Sequence, residues 1–405
     1  MELSKTPLSL KPFQFFILGH FLSFTGSWMH TVAQNWLVYE LTGSSFYLGL
    51  LSFFSSTPII LLGLLGGVLI DKFNRKKLLT LITFLSVFPP LILGLLVQTY
   101  SVSFWQIALL AFLLNSLTAI DLPLRQVFIG EIVPSGLLTQ ALSIQAFSFN
   151  LARMIGPALA GFIISYYSIY LCFYLNALSF VPLLLFLLFF IHLQDLDFKN
   201  KPSETFNFKK DLKEIFLFLK NHPSILATLL SISNFTFFGI STLILLPVIV
   251  HKLYGGQAKE FGILSSTIGI GAILGSLYIF LKKEISQKLE HLLKASLLLG
   301  LSIGGITFSP FWFLTLFLST LIGFSFTNFF PIANSYLQEN TPSHLKGRIM
   351  SLFSISFLGV SPLGNFIIGI LGDILPLKMV LIAYTFLLII FQFFIFRLLR
   401  LRKYA

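Results

Sequence analysis

Charged residues and cysteine are both scarce in this sequence. Only 10% of its 405 residues are charged, whereas a soluble domain carries about 25%, so the chain lacks the groups that coat a water-facing surface. The single cysteine, Cys172, excludes a disulfide within the chain. Histidine and cysteine do not cluster at metal-ligand spacing. The composition therefore excludes an ordinary soluble protein and predicts neither a metal site nor a cofactor.

Hydrophobic residues make up 56% of the sequence and lie in twelve apolar runs between residues 13 and 397. Each run has about the 20 residues that a membrane-spanning helix needs. The fourth run covers 104–124 and the fifth covers 137–166. We therefore predict an all-α membrane protein with twelve transmembrane helices.

The basic residues are distributed unevenly between the breaks in these runs. A net charge of +12 could indicate nucleic-acid binding, but lysine and arginine concentrate in alternate breaks, at 72–77, 199–220 and 397–403 among others. The breaks on the opposite side hold only Lys252, Lys259 and Lys378. This bias predicts that both termini are cytoplasmic, in a bacterial inner membrane, with no nucleic-acid partner.

One long polar stretch, 195–222, divides the chain into two halves, 1–194 and 223–405. Within this linker, apolar residues recur at helical spacing between lysines, which predicts an amphipathic helix on the inner leaflet or a plain surface helix. These apolar residues are Phe208, Leu212, Ile215, Phe216 and Leu219.

A weak internal repeat relates the two halves. Pro134-Ser135-Gly136-Leu137 recurs 208 residues later as Pro342-Ser343-His344-Leu345, and both copies precede a span containing glycine and proline. Two such six-helix bundles, related by pseudo-symmetry, are typical of transporters whose substrate site lies near the midplane between the halves.

Arg153 lies deep in the fifth apolar run, at least ten residues from either end. An intramembrane charge is expensive and indicates a functional site. Three interpretations are open: Arg153 faces the cavity and attracts an anionic substrate group, it pairs with Glu40, or it bonds backbone carbonyls structurally.

Several segments resemble the major facilitator superfamily, and in particular its bacterial multidrug and siderophore exporters, which include the enterobactin exporter and macrolide efflux pumps. The signature loop between the second and third helices is similar to 66–77, GGVLIDKFNRKK, although Asn74 stands where glycine is usual. The remaining similar segments are 35–45, 119–126, 150–161, 175–180 and 345–354.

The resemblance implies an inner gate and an antiporter-like motif. In similar transporters the loop aspartate meets the start of the eleventh helix, and the loop arginine, here Arg75, pairs with an acid at the inner end of the fourth helix, here Asp121. The implied gate residues are Gly67, Asp71, Arg75, Asp121 and Arg125. The motif GPALAG supplies Gly156, Pro157 and Gly161, which either serve the gate or simply permit close packing.

The resemblance also implies that the first, fourth, seventh and tenth helices line the transport path. The candidate cavity residues are Gln34, Asn35, Asn115, Arg153, Asn234 and Asn328. Each amide could instead make an ordinary hydrogen bond between helices, worth about 0.6 kcal/mol.

Energy coupling is implied to come from protons. The chain has no Gly-x-x-x-x-Gly-Lys loop for ATP, and the titratable candidates are His30, Glu40, Asp121 and His20. We expect a non-enzymatic, monomeric exporter of small amphipathic molecules, of drug or siderophore type, in contact with membrane lipid. A lipid or lysolipid flippase of the same fold, or a narrow-substrate metabolite transporter, is the alternative.

Overall fold

The computed structural model describes residues 6–189, 208–282, 285, 287–342 and 345–403, with the backbone alone at 63–69, 71–72, 208–213 and 398–403. This part of the chain is almost entirely helical. In addition to a linker helix, Phe208–Asn221, it contains the long helices α1 (Lys11–Thr42), α2 (Ser45–Lys72), α3 (Arg75–Gln98), α4 (Phe104–Ile132), α5 (Leu138–Tyr166), α6 (Ile169–Phe189), α7 (Pro223–Tyr254), α8 (Ala258–Leu281), α9 (Lys288–Phe308), α10 (Trp312–Asn340), α11 (Lys346–Ile374) and α12 (Leu377–Lys403).

Apolar composition explains why these segments are helices that cross a membrane. Within the described residues, eleven of them are long and apolar enough to do so, and in lipid every backbone polar group must be paired within the helix. The remaining one, α1, has 32 residues but carries more polar groups. Large apolar side chains face outward, such as Phe280 at 78% and Phe313 at 83% exposure. The chain is an all-helical membrane protein, as predicted.

Four helices are locally irregular, including α6, which is interrupted at Phe180. A break between Leu85 and Phe88 interrupts α3, and π-type turns occur at Phe235–Gly239 in α7 and Ile355–Gly359 in α11. Single π-type turns inside α-helices frequently mark functional positions.

The chain forms two compact units that do not coincide with the predicted halves. The first comprises Met1–Gly43, Leu51–Asn200 and Val250–Gly269, and the second comprises Ser44–Leu50, Lys201–Ile249 and Ile270–Ala405. Short segments from each half of the sequence therefore pack with the other half. The predicted boundaries at 194 and 223 stay a prediction, and 195–207 lie outside the described residues.

Each unit contains an ion pair between two consecutive helices, and the acids of the two pairs are separated by the interval of the sequence repeat. In the first unit Arg75, at the start of α3, pairs with Glu131 near the end of α4, with Nη1 and Oε1 2.8 Å apart. In the second unit Lys288, at the start of α9, pairs with Glu339 near the end of α10. Glu131 and Glu339 are 208 residues apart (339 − 131), the interval between the two Pro-Ser motifs. The acids thus recur at the interval of the weak motif.

Candidate functional site

A buried charge cluster occupies the middle of α4 in the first unit. Arg125 Nε lies 2.7 Å from Asp121 Oδ2, one helical turn away. Both residues are buried, with Arg125 only 1% and Asp121 7% exposed. Asp121 Oδ1 has no hydrogen-bond partner among the described residues. Two charges of opposite sign are therefore held in an apolar environment, where breaking the pair is expensive.

Side chains from α1 complete the cluster. Arg125 Nη1 donates to Ser23 Oγ at 2.9 Å and lies 3.4 Å from His20 Nδ1. The guanidinium carbon lies 5.3 Å from the ring centroid of Phe24, and His20 packs against the same ring with centroids 4.5 Å apart. His20 was one of the titratable candidates, but the sequence did not place it beside the gate residues Asp121 and Arg125.

The structure corrects the predicted partner of Arg75. Asp121 was expected at the inner end of the fourth helix, but α4 continues to Ile132 and Asp121 is residue 18 of its 29. Glu131 takes the end position instead and pairs with Arg75. The ten residues between the two acids correspond to about 15 Å along the helix. The prediction was wrong because the apolar run, ending at 124, underestimated the helix by two turns.

We expect the charge reversal Glu131→Arg to lower transport several-fold, because a half-buried pair is replaced by like charges and such a pair is worth about 1 kcal/mol. The paired reversal Arg75→Glu/Glu131→Arg should restore most of the activity. As a control, Arg75→Glu should not rescue Asp121→Arg. If Arg75→Glu rescues Asp121→Arg and does not rescue Glu131→Arg, Arg75 pairs with Asp121 as first predicted.

Two other residues of the predicted gate, Gly67 and Asp71, lie in α2. The Asp71 side chain falls outside the described residues. Their gate roles stay a prediction. Asn74, which stands where the family pattern has glycine, caps α3 by accepting a hydrogen bond from the Lys77 backbone N–H at 3.0 Å. This cap explains how the departure from glycine is accommodated.

The predicted cavity amides have different surroundings. Asn234 donates to the carbonyl of Leu388 at 3.0 Å and to Gln392, which joins α7 to α12 and matches the alternative of an ordinary hydrogen bond between helices. Asn115 donates to Ala111 O in its own helix at 2.8 Å. Gln34 is 7% exposed and Asn35 is partly buried, and Asn328 bonds within the second unit to His291.

Arg153, His30 and Glu40 lie in three different environments. The Arg153 guanidinium carbon lies 5.3 Å from the ring centroid of Trp28, a cation–π contact. His30 is buried and packs edge-on against Phe173, while Glu40 is exposed at the end of α1. The three interpretations of Arg153 stay open as predictions.

The two glycines of the antiporter-like motif serve different contacts. A Cβ placed on Gly156 would lie 2.7 Å from the Thr25 carbonyl oxygen, so this glycine lets α5 touch the backbone of α1. A Cβ placed on Gly161 would lie 3.1 Å from Gly262 Cα, so this glycine lets α5 approach α8. Pro157, between them, lies inside α5. Both contacts are close packing between helices, and the gate interpretation stays a prediction.

A family model described as transmembrane secretion effector matches residues 3–405. The chain belongs to this family of the major facilitator superfamily. Among similar proteins, the staphyloferrin A transporter of Staphylococcus aureus is 27% identical and the match covers 89% of each chain. The multidrug efflux pump Tap of Mycolicibacterium fortuitum is 24% identical over 86% of each chain, and macrolide efflux protein A of Streptococcus pyogenes is 19% identical over 82% of each.

Solved structures share the fold. A point mutant of the nucleoside transporter NupG superposes with a TM-score of 0.79 at 13% identity, covering 96% of this chain and 99% of that one. A bacterial homologue of the iron transporter ferroportin superposes with a TM-score of 0.74 at 16% identity, covering 96% and 98%. This family member is therefore a multi-pass membrane transporter of the major facilitator fold, with a small-molecule substrate.

Sequence reasoning missed the acid that caps α2 in this transporter. Asp373, the last acid of α11, accepts hydrogen bonds from the Ser44 hydroxyl and, at 2.6 Å, from the Ser45 backbone N–H. Gly43 precedes them with φ of 62°, a left-handed conformation that suits glycine. A Ser-Ser pair after glycine at a helix start was the available signal, since the first N–H groups of a helix need an acceptor.

Proposed function

We propose that this chain is a proton-coupled exporter of small amphipathic molecules, of drug or siderophore type, working by alternating access with both termini in the cytoplasm. The main support is the buried Asp121–Arg125 pair with His20 beside it. An acid within a transmembrane helix is energetically costly and therefore indicates a functional site. Proton relays in transporters use such groups. The names of the relatives, which include a siderophore transporter and two efflux proteins, support the substrate class.

The cluster suggests how a proton could alter the transporter. Asp121 neutralises Arg125 while it is ionised. A proton on Asp121 would leave the guanidinium with Ser23 and the Phe24 ring but without its counter-charge. An uncompensated charge in a low-dielectric site favours a conformation that hydrates it or brings it a new anion. Protonation would thereby bias the conformational equilibrium, as proton coupling requires.

The alternating movement would exchange contacts at the ends of the helices. The Gly161–Gly262 approach and the Asp373 cap on α2 each join helices from the two halves of the sequence. We infer that these contacts form in one state of the cycle and separate in the other. The ion pairs Arg75–Glu131 and Lys288–Glu339 lie each within one half and would be kept throughout.

The decisive experiment is transport by purified protein in liposomes with an imposed pH gradient. We expect movement of at least one member of a panel comprising staphyloferrin A, a catecholate siderophore, a macrolide and a lipophilic dye. Transport should stop when a protonophore collapses the gradient. Transport that ignores the protonophore would overturn proton coupling. Movement of a fluorescent lysolipid alone would instead support the flippase alternative.

A further inference from the structure

A cavity in the second unit is lined by none of the residues assigned to transport above except Asn328. It has a volume of about 290 Å³ and lies among the end of α8, the start of α9 and the middle of α10. Its charged residues are Lys282, just after α8, and Lys294, in the second turn of α9. Among the described residues that line it, none is acidic. The cavity is therefore suited to an anion.

One of the two lysines of the cavity contacts an aromatic ring. Lys282 Nζ lies 5.1 Å from the ring centroid of Tyr278, and the Tyr278 ring stacks on His291 with centroids 6.2 Å apart. His291 Nε2 lies 3.2 Å from Asn328 Oδ1. Because Lys294 follows His291 by three residues, both side chains lie on the same face of α9. The cavity thus offers two ammonium groups to one ligand, beside a histidine and an amide that bond to each other.

The acid on α10 nearest this region is already engaged. Glu339 pairs with Lys288, one turn before His291, and accepts a hydrogen bond from Ser335. The positive charge of Lys282 and Lys294 is therefore not balanced by Glu339. An incoming anion would gain charge-assisted hydrogen bonds from these two lysines.

The apolar flank of the cavity distinguishes a lipid from a free anion. Leu277 and Leu281 directly precede the lining residues Tyr278 and Lys282, and they are 49% and 69% exposed. In a membrane protein such side chains face acyl chains. Cationic pockets between transmembrane helices at the basic side of the membrane are typical sites for anionic lipid headgroups. We propose that this cavity binds the phosphate headgroup of an anionic phospholipid, with its acyl chains along α8 and α9.

Lipid binding by the delipidated full-length protein in a non-ionic detergent tests this proposal. Native mass spectrometry would count bound dioleoyl phosphatidylglycerol and dioleoyl phosphatidylcholine, with inorganic phosphate as a separate titration. We expect at least one phosphatidylglycerol to bind about tenfold more tightly than phosphatidylcholine. The double variant Lys282→Gln/Lys294→Gln should lose that tenfold preference, because each lysine near an anionic lipid surface contributes about fivefold to the affinity.

A matched control removes the same charge elsewhere on the basic side of the protein. Lys77→Gln/Lys220→Gln, at two exposed positions, should leave the preference for phosphatidylglycerol unchanged. Equal loss in both double variants would show non-specific attraction and overturn the proposal. Unchanged binding of phosphatidylglycerol by Lys282→Gln/Lys294→Gln would also overturn the proposal. Inorganic phosphate binding as tightly as phosphatidylglycerol would overturn the lipid assignment in favour of a phosphate site.

Discussion

The variant Asp121→Asn should abolish proton-coupled export and also lower the stability of the protein. Asparagine keeps the shape of the side chain but cannot be ionised, so it cannot release or take up a proton. It also leaves the fully buried Arg125 without a counter-charge. Removing one partner of a buried ion pair costs about 3–5 kcal/mol. A loss of transport by this variant alone would therefore have two explanations.

The double variant Asp121→Asn/Arg125→Gln separates these explanations. It removes both charges, and replacing a buried pair as a whole is often neutral, so the melting temperature in detergent should return close to that of the unaltered protein. Transport driven by a pH gradient should stay absent because the titratable group is gone. If the double variant is stable and still exports substrate with the gradient, Asp121 is not the proton carrier.

The control for both variants is Glu40→Gln. This change removes an acid from the same half of the chain, at an exposed position near the end of α1. We expect neither its stability nor its coupled transport to change by more than surface substitutions ordinarily cause. Loss of coupling in Glu40→Gln, with coupling kept in the Asp121 variants, would move the proton site to Glu40.

The sequence was sufficient to predict an all-helical membrane protein, because lipid requires long apolar segments that can be recognised without any tertiary information. The ends of the helices were harder to predict from the sequence. An apolar run ends where polar residues begin, but α4 continues eight residues past the predicted end at 124. That difference placed Asp121 at a membrane edge instead of inside the helix. The resulting error in the partner of Arg75 was a direct consequence.

The ion pairs of the site could not be chosen from composition alone. Arg125 and Asp121 are four residues apart, which is a helical contact that sequence can predict. The contributions of Ser23 and His20 depend on the rotation of α1 against α4, and α1 also holds Ser27 and His30 as alternatives. Residues that are paired locally are therefore predictable, whereas residues that are paired between helices need the packed structure.

The substitution Gly156→Ala should destabilise the protein, whereas Gly130→Ala should stabilise it slightly. Both glycines lie within helices of the first unit. Alanine normally stabilises a helix by about 0.5–1 kcal/mol relative to glycine. At Gly130 the nearest atom to an added Cβ is 4.0 Å away, so only this gain is expected.

At Gly156 the added methyl group would meet the Thr25 carbonyl oxygen at 2.7 Å and the Met29 backbone nitrogen at 3.0 Å. Backbone atoms cannot rotate away as a flexible side chain can, so α1 and α5 must separate. Overpacking of this kind typically costs about 1–3 kcal/mol, which exceeds the helical gain. Thermal melting of the two variants in the same detergent measures the difference in sign. Equal stabilisation by both would mean that α1 and α5 do not pack as closely as the structure has them, and the antiporter-like motif would then lose its packing role at Gly156.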